Sequence, residues 1–225
     1  VAVLAPYLAP HGYDETDLLA VWAKPSAEHW LGADSLGRDI LSRLLVGARV
    51  SLVVALSVLA ITLSLGIALG MIAGYWGGRA DAIIMRVVDI IFAFPELIFA
   101  ILVASVLGPS KLTVIISLSI VWWPGVARLT RSLVLQIKNE LYVDAAIACG
   151  TRPLVILLRH FLPNIVAPLI VRASIGVGFI IMAEATLSFL GIGVQEPEPS
   201  WGGMIRDGLA ALRTDPYLAL FGSLA

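Results

Sequence analysis

The chain has 225 residues, of which 59% are hydrophobic and 14% are charged, with a formal net charge of −1 and a mean hydropathy of +0.95. Soluble domains are about 45–50% apolar and about 25% charged, so a soluble globule of this size could not bury this much apolar surface. One cysteine excludes a disulfide scaffold, and the absence of a basic block argues against nucleic-acid binding. The composition therefore indicates an integral membrane protein.

Four apolar runs are long enough to cross about 30 Å of hydrocarbon as helices. They are predicted at roughly 51–75, 87–107, 112–129 and 164–192. None shows the alternation of apolar and polar residues that is typical of strands, so we expect an all-α protein with four complete spans. Both ends are apolar but too short to span, and we expect each to belong to a helix of a longer parent chain with about six spans. Residues 1–225 would then form a single transmembrane domain.

Three polar segments connect the predicted spans. In residues 11–49, the stretch from Asp39 to Arg49 carries polar residues on one helical face and apolar residues on the other, which predicts a helix in the membrane interface. Residues 132–163 form a basic loop, and residues 193–215 form an acidic, proline-rich loop. The arginines that flank the spans favour a cytoplasmic position for 132–163 and external positions for the other two.

The basic loop is predicted to be a helix–turn–helix. Residues 140–150 read as a short helix that ends at Gly150, and a second helix is expected to end at Leu162–Pro163. Ala145 and Ala146 leave the first helix thin enough to sit in a groove. An apolar stripe along the pair indicates that it lies close to the membrane; the stripe comprises Val143, Ile147, Gly150, Leu154, Leu157, Leu158 and Phe161.

The loop carries a recognisable signature. Asp144-Ala-Ala, Gly150 and Leu162-Pro163 together resemble the EAA signature of permease subunits in binding-protein-dependent ABC importers, with Asp in place of the usual Glu. Residues 31–43 (LGADSLGRDILSR) and 188–202 are similar to blocks of the C-type permease in the dipeptide/oligopeptide/nickel branch of that family. The likeness covers nearly the whole chain, and the three blocks together are specific.

The resemblance implies a type I ABC importer transmembrane domain. The 132–163 loop would be the element that docks on a cytoplasmic ATPase, and its coupling residues would be Asp144, Ala145, Ala146, Gly150, Arg152, Leu162 and Pro163. The implied partners are a second homologous permease subunit in a heterodimer, two ATPase subunits that bind ATP and Mg, and an extracytoplasmic solute-binding protein. The implied location is the cytoplasmic (inner) membrane of a bacterium or archaeon.

The chain itself is expected not to be an enzyme. It has no G-x-x-x-x-G-K-[ST] loop to hold ATP phosphates, so we expect ATP hydrolysis on a partner and no cofactor in this chain. The resemblance implies short peptides as the solute, with nickel chelates or glutathione-like compounds as alternatives. Glu184, the deepest acid in its span, and Glu96 are candidates for lining the solute pathway, because intramembrane charges usually face a cavity or a partner.

Two other classes of function remain open from the residues alone. An ion-coupled carrier could use Asp89, Glu96 and Glu184 as a relay, but it would not need the 132–163 loop. An intramembrane enzyme lacks a convincing nucleophile–base pair. The three histidines have no ligand spacing, so we expect no metal site; they are His11, His29 and His160.

A glycine repeat marks one face of the first predicted span. Gly66, Gly70 and Gly74 recur every four residues, which predicts close approach of another helix. That contact could be static packing or a surface that slides during transport. Pro95 and Pro124 interrupt other spans, and each could be a fixed kink or a hinge.

Overall fold

The computed structural model describes residues 4–210, and within them the protein is built from helices. In chain order these are α1 (Ala5–Leu8), α2 (Ile40–Trp76), α3 (Gly78–Phe92), α4 (Glu96–Leu107), α5 (Lys111–Ile137), α6 (Leu141–Ala148), α7 (Pro153–Ile156), a π-helical turn (Leu157–Phe161), α8 (Leu162–Phe189) and α9 (Trp201–Ala210). Over residues 4–210 the only β-type pairing is an isolated bridge between Ala33 and Asp39. The predicted all-α class is confirmed.

In the part of the chain that the structure describes, three helical segments are long and apolar enough to cross a membrane: Ile40–Trp76, Lys111–Ile137 and Pro153–Phe189. A fourth crossing is possible by length and composition if α3 and α4, which are bent by 90° at their junction, count as one span. These segments agree with the four predicted spans in number and order. The predicted partial spans at the two chain ends lie outside the described residues or at their edge.

The second predicted span is broken. The sequence predicts a span over 87–107 that Pro95 interrupts, and in the structure α3 ends at Phe92 and α4 begins at Glu96. Pro95 has no N–H to continue the helical hydrogen bonds, and its ring disfavours a helical conformation at the residue before it. The predicted interruption at Pro95 is therefore confirmed, and it is a break between two helices bent by 90°. Pro124, in contrast, lies inside a continuous α5.

The stretch predicted as a separate interfacial helix is the beginning of α2. Helix α2 runs without a break from Ile40 to Trp76, so the expected turn into the bilayer does not occur. Both faces of this stretch pack within the protein: Ile40 of the apolar face is buried against Met204, and Ser42 and Arg43 of the polar face are buried as well. The amphipathic pattern therefore does not mark a surface that lies in the membrane interface.

The segment from α7 to α8 is also continuous. The sequence predicts that a helix ends at Leu162–Pro163, but the helix continues across both residues. The π-helical turn directly before them widens the backbone, which accommodates a residue that cannot donate a helical hydrogen bond. The predicted end was therefore wrong.

The described chain divides into two compact units. Unit one comprises residues 4–57, 101–117 and 179–210, and unit two comprises residues 58–100 and 118–178. Helices α2, α4, α5 and α8 each contribute residues to both units.

Unit two has an apolar core that joins the C-terminal half of α2 to α5, α6 and the start of α8. Its buried members are Met71, Val126, Val134, Val143, Ile156, Leu157, Phe161, Ile165 and Leu169. The ring of Tyr75 meets Phe161 edge-on with centroids 5.8 Å apart. The short loop helices are therefore held against the long helices by burial of apolar side chains.

The glycine face of α2 lies directly against α5 in unit two. A Cβ added at Gly66 would lie 2.5 Å from Val126 Cβ, and one at Gly70 would lie 2.5 Å from the Ala127 carbonyl oxygen. A Cβ at Gly74 would lie 2.7 Å from Val134 Cγ1. The predicted close approach of another helix is confirmed, while sliding along this contact stays a prediction.

In unit one, α9 packs closely against α2 and α8. The Trp201 indole N–H donates a hydrogen bond to the Leu44 carbonyl oxygen at 3.3 Å, and the same ring lies beside Gly47. Gly202 faces the backbone of Ala185 so closely that a side chain has no room there. The segment that follows α8 is therefore fastened to two long helices.

Candidate functional site

Helix α6, which carries the Asp-Ala-Ala motif, presents one face to the core of unit two and another to the outside. Val143 is fully buried, and Ala146 is half-buried against the same core. Asp144 and Ala145 are exposed, as is Arg152 at the start of α7. Of the two adjacent alanines, Ala145 is the more exposed.

Large apolar side chains surround this exposed face. Leu141 is 85% exposed, Leu154 is 65% exposed and Ile147 is 50% exposed. The predicted apolar stripe therefore divides: Val143, Leu157 and Phe161 are buried, whereas Ile147, Leu154 and Leu158 are exposed. Exposed apolar clusters on a folded surface typically mark an interaction site.

Gly150 ends α6 with a defined hydrogen-bonded turn. Its φ of +72° lies in the left-handed region that residues with a Cβ resist. The Gly150 N–H donates to the Ile147 carbonyl oxygen at 2.9 Å, and the Thr151 N–H donates to that of Ala146 at 3.1 Å. This pair of bonds is the Schellman motif, and it confirms the predicted helix end.

Polar contacts hold the entry to the loop in place. The Lys138 ammonium donates to the Tyr75 carbonyl oxygen at 2.6 Å, next to the end of α2. Arg131 forms a bidentate ion pair with Asp81 of α3. Because both anchors precede α6, they fix the position from which the loop leaves α5.

The remaining coupling candidates lie where the loop joins α8. Leu162 is half-buried against the core of unit two, while Pro163 is exposed. The Asn164 side-chain amide donates to the His160 carbonyl oxygen at 2.6 Å, one helical turn back. The roles of all seven coupling residues stay predictions.

Glu184 is an internal hydrogen-bonding group in unit one. Its carboxylate is fully buried and accepts hydrogen bonds from the hydroxyls of Ser51 and Ser188, each at 2.8 Å. The Ser188 hydroxyl in turn accepts the N–H of Val194 at 3.2 Å. Glu184 thus connects α2, α8 and the following loop; contact with solute stays a prediction.

The other acids that the sequence singled out have different surroundings. Asp89 forms an ion pair with Arg128, whose guanidinium lies 4.6 Å from the centroid of the Phe92 ring. Glu96, the first residue of α4, is exposed. Asp89 and Glu184 are thus engaged with separate partners.

An ion-pair network that the sequence did not indicate links buried Arg38, Arg43 and Asp34 to the exposed Glu196 in unit one. Arg38 donates to Asp34 at 2.7 Å and makes two bonds to Glu196, at 2.9 and 3.0 Å; Arg43 lies 3.5 Å from both acids. The hydrogen bonds from Arg38 lower the pKa of Glu196 below its usual range, against the opposing effect of partial burial. Arg38 and Glu196 are 158 residues apart, so no local pattern could reveal the pair.

The structure also gathers residues that the sequence left apart. His11, His29 and Asp39 bring one ligand atom each to within 4.8 Å of one another. Their separations along the chain match no familiar ligand motif, which is why the sequence argued against a metal site. His160 does not belong to this group.

Comparisons with known proteins define the class. A family model described as "binding-protein-dependent transport system inner membrane component" matches residues 66–225. The chain belongs to this family, so it is a multi-pass inner-membrane permease subunit of the ABC importers, with the type I transmembrane domain that the resemblance implied.

Its relatives belong to the peptide branch. The chain is 40% identical over 221 residues to the dipeptide transport system permease protein DppC of Bacillus subtilis, covering 98% of this chain and 69% of the relative. It is 40% identical over 228 residues to the glutathione transport system permease protein GsiD of Pectobacterium atrosepticum, covering 100% and 75%. It is 38% identical over 220 residues to the oligopeptide transport system permease protein OppC of Haemophilus influenzae, covering 97% and 71%.

Proposed function

We propose that this permease subunit passes short peptides that an extracytoplasmic binding protein delivers, and that separate ATPase subunits drive it. The named relatives act on dipeptides, oligopeptides and glutathione, which share a peptide backbone. A glutathione-like solute is the nearest alternative, and a nickel chelate is the next. None of the three relatives cited above is named as an ion-coupled carrier.

The observation that carries the coupling mechanism is the exposed face of α6. Asp144 and Ala145 offer a small, negatively charged surface, and exposed Leu141 and Ile147 flank it. The turn at Gly150 sets the direction in which α7 leaves. A short helix of this kind fits a groove on a partner, and its buried face joins it to the core of unit two.

Movement of a docked α6 would reach the long helices through that core. ATP would bring two ATPase subunits together, and this chain would pair with a second homologous permease subunit across the pathway. The mechanism is a rigid-body switch between two states, driven by a ligand that binds one state more tightly. ATP and Mg would be bound by the ATPase subunits.

The test is to enlarge Ala145 and compare the variant with a matched control. Ala145→Trp adds bulk to the exposed face of α6, whereas Ala82→Trp adds it to an exposed position of α3. We expect Ala145→Trp to abolish binding-protein-stimulated ATP hydrolysis and uptake at normal membrane levels, and Ala82→Trp to retain both. Ala146 is unsuitable, because its half-buried side chain would disturb the core.

Two outcomes would contradict the proposal. If Ala145→Trp assembles and transports normally, α6 is not the docking element. If uptake by reconstituted vesicles persists without ATP but collapses with the proton gradient, the chain is an ion-coupled carrier. The solute itself can be identified by mass spectrometry of the molecule retained by the co-purified binding protein.

A further inference from the structure

We propose that His11, His29 and Asp39 in unit one form a binding site for a divalent transition-metal ion, with Zn²⁺ as the best match. One ligand atom from each residue lies within 4.8 Å of the others. Two imidazoles and one carboxylate are donors that Zn²⁺ accepts, and three protein ligands leave a fourth position for water. The site is independent of the transport proposal.

The distances are close to those that a metal requires. The His29 Nδ1 and Asp39 Oδ1 atoms are 3.1 Å apart. Two ligand atoms that are each about 2.1 Å from a tetrahedral Zn²⁺ lie about 3.4 Å apart. In the metal-free protein the His29 Nδ1 proton bridges these atoms, and a metal ion would take the place of that proton. The ligand atom of His11, the least buried of the three, lies within 4.8 Å of the other two and would then move inward toward a separation of about 3.4 Å.

The group is held by contacts outside the three ligands. Asp39 precedes α2, and its Oδ2 atom accepts bonds from the Ser42 N–H at 2.8 Å and the Ser42 hydroxyl at 2.7 Å. These bonds leave Oδ1 directed at His29. The Ser42 oxygen also accepts the His11 N–H at 3.1 Å, so one serine positions two of the ligands. Such supporting hydrogen bonds are typical of metal sites.

His29 is positioned by its own turn. Its N–H donates to the Ser26 hydroxyl at 3.0 Å, and its carbonyl oxygen accepts the Gly32 N–H at 3.0 Å. The imidazole rings of His11 and His29 lie 4.9 Å apart between centroids. The turn therefore holds one ring beside the other without a hydrogen bond between them.

A purely structural role leaves one atom unexplained. The His11 Nδ1 atom is buried and has no hydrogen-bond partner among residues 4–210. A buried polar atom without a partner is destabilising, so such atoms usually have an undetected ligand or water. The local charge also permits a cation, because Arg38 and Arg43 are paired with Asp34 and Glu196.

The test counts bound metal on the full-length permease, purified through a tag that contains no histidine. The protein is stripped with chelator, incubated with Zn²⁺, dialysed and analysed by elemental mass spectrometry. We expect about one Zn²⁺ per wild-type chain, at least tenfold weaker binding for His11→Ala, and unchanged binding for the control His160→Ala. His11→Ala is preferred over Asp39→Asn because Asp39 also caps α2.

Two further readouts separate metal binding from folding. The metal-free His11→Ala variant should melt close to the metal-free wild type, and added Zn²⁺ should raise the melting temperature of the wild type alone. Co²⁺ bound to the wild type should give visible absorption bands that His11→Ala lacks. Absence of metal from the wild type, or equal binding by His11→Ala and His160→Ala, would overturn the proposal.

Discussion

Gly70 offers the sharpest test of helix packing in unit two. A methyl group added there would lie 2.5 Å from the Ala127 carbonyl oxygen and 2.6 Å from Thr130 Cβ. A backbone oxygen cannot rotate away as a flexible side chain can, so α2 and α5 would have to separate. Overpacking of this kind typically costs about 1–3 kcal/mol. Replacing glycine with alanine also stabilises a helix by about 1 kcal/mol, because alanine has the higher helix propensity.

Gly178→Ala in α8 is the matched control. A Cβ at Gly178 meets nothing within 4 Å, so this variant carries the propensity effect without the clash. The difference between the two variants should therefore be about 1–3 kcal/mol, which is about 5-fold to about 150-fold in the folding equilibrium at about 1.4 kcal/mol per tenfold.

The comparison can be made by equilibrium unfolding of the purified proteins in one detergent. A denaturing detergent is titrated in, and unfolding is followed by the fluorescence of the six tryptophans. We expect Gly70→Ala to unfold at a clearly lower fraction of denaturing detergent than Gly178→Ala. Equal midpoints would show that α2 and α5 are not in backbone contact at Gly70, and the reasoning from the glycine face would fail.

Four further outcomes are expected. The only cysteine, Cys149, is exposed, so an impermeant thiol reagent should label the permease in inside-out vesicles and spare it in intact cells; the reverse pattern would invert the topology. Gly150→Val should keep normal membrane levels but lose ATP-driven uptake, since a left-handed residue with a side chain costs about 1–2 kcal/mol, and Gly150→Asn should be milder. Glu184→Ala should lower the melting temperature by the equivalent of about 1–3 kcal/mol, because two buried hydroxyls lose their acceptor; an unchanged melting temperature would contradict this role. The folded-state pKa of Glu196 is lowered, so the ionised carboxylate stabilises the fold above about pH 4.3, and this stabilisation is lost as the pH falls through the folded-state pKa. The melting temperature should therefore drop on acidification, and Arg38→Gln should remove the part of the drop that comes from Glu196.

Sequence reasoning succeeded where long-range contacts were not needed. Over residues 4–210 the apolar runs identified every long helix, because a span of about 20 apolar residues has few alternatives to a membrane helix. Gly150 was correctly placed at the end of α6, since its conformation depends on local backbone sterics alone. The glycine face of α2 was also recognised, because small residues at a spacing of four define a face regardless of what covers it.

The errors have a common cause in contacts that one helix cannot reveal. The start of α2 has an amphipathic pattern, and only the packing of Ile40 on Met204 shows that protein rather than lipid headgroups covers it. The helix continues through Pro163, where the sequence predicts a helix end. A π-helical turn precedes Pro163, and no pattern in the sequence indicates that turn.

The candidate sites divide in the same way. The motif around Asp144 is contiguous and could be read from the sequence, although which of its alanines faces outward required the structure. The Glu196 ion pairs and the His11 group join residues from distant parts of the chain. Such groups become visible only when the fold brings their members together.

The close fit of Trp201 and Gly202 against the long helices has a practical consequence for protein engineering. An epitope or fluorescent-protein insertion near these residues would pull an indole from its carbonyl partner and push a backbone away from Ala185. A better insertion point lies between Leu18 and Leu19, two residues that are 79% and 99% exposed. Antibody fragments raised for imaging this permease should likewise be directed to that loop.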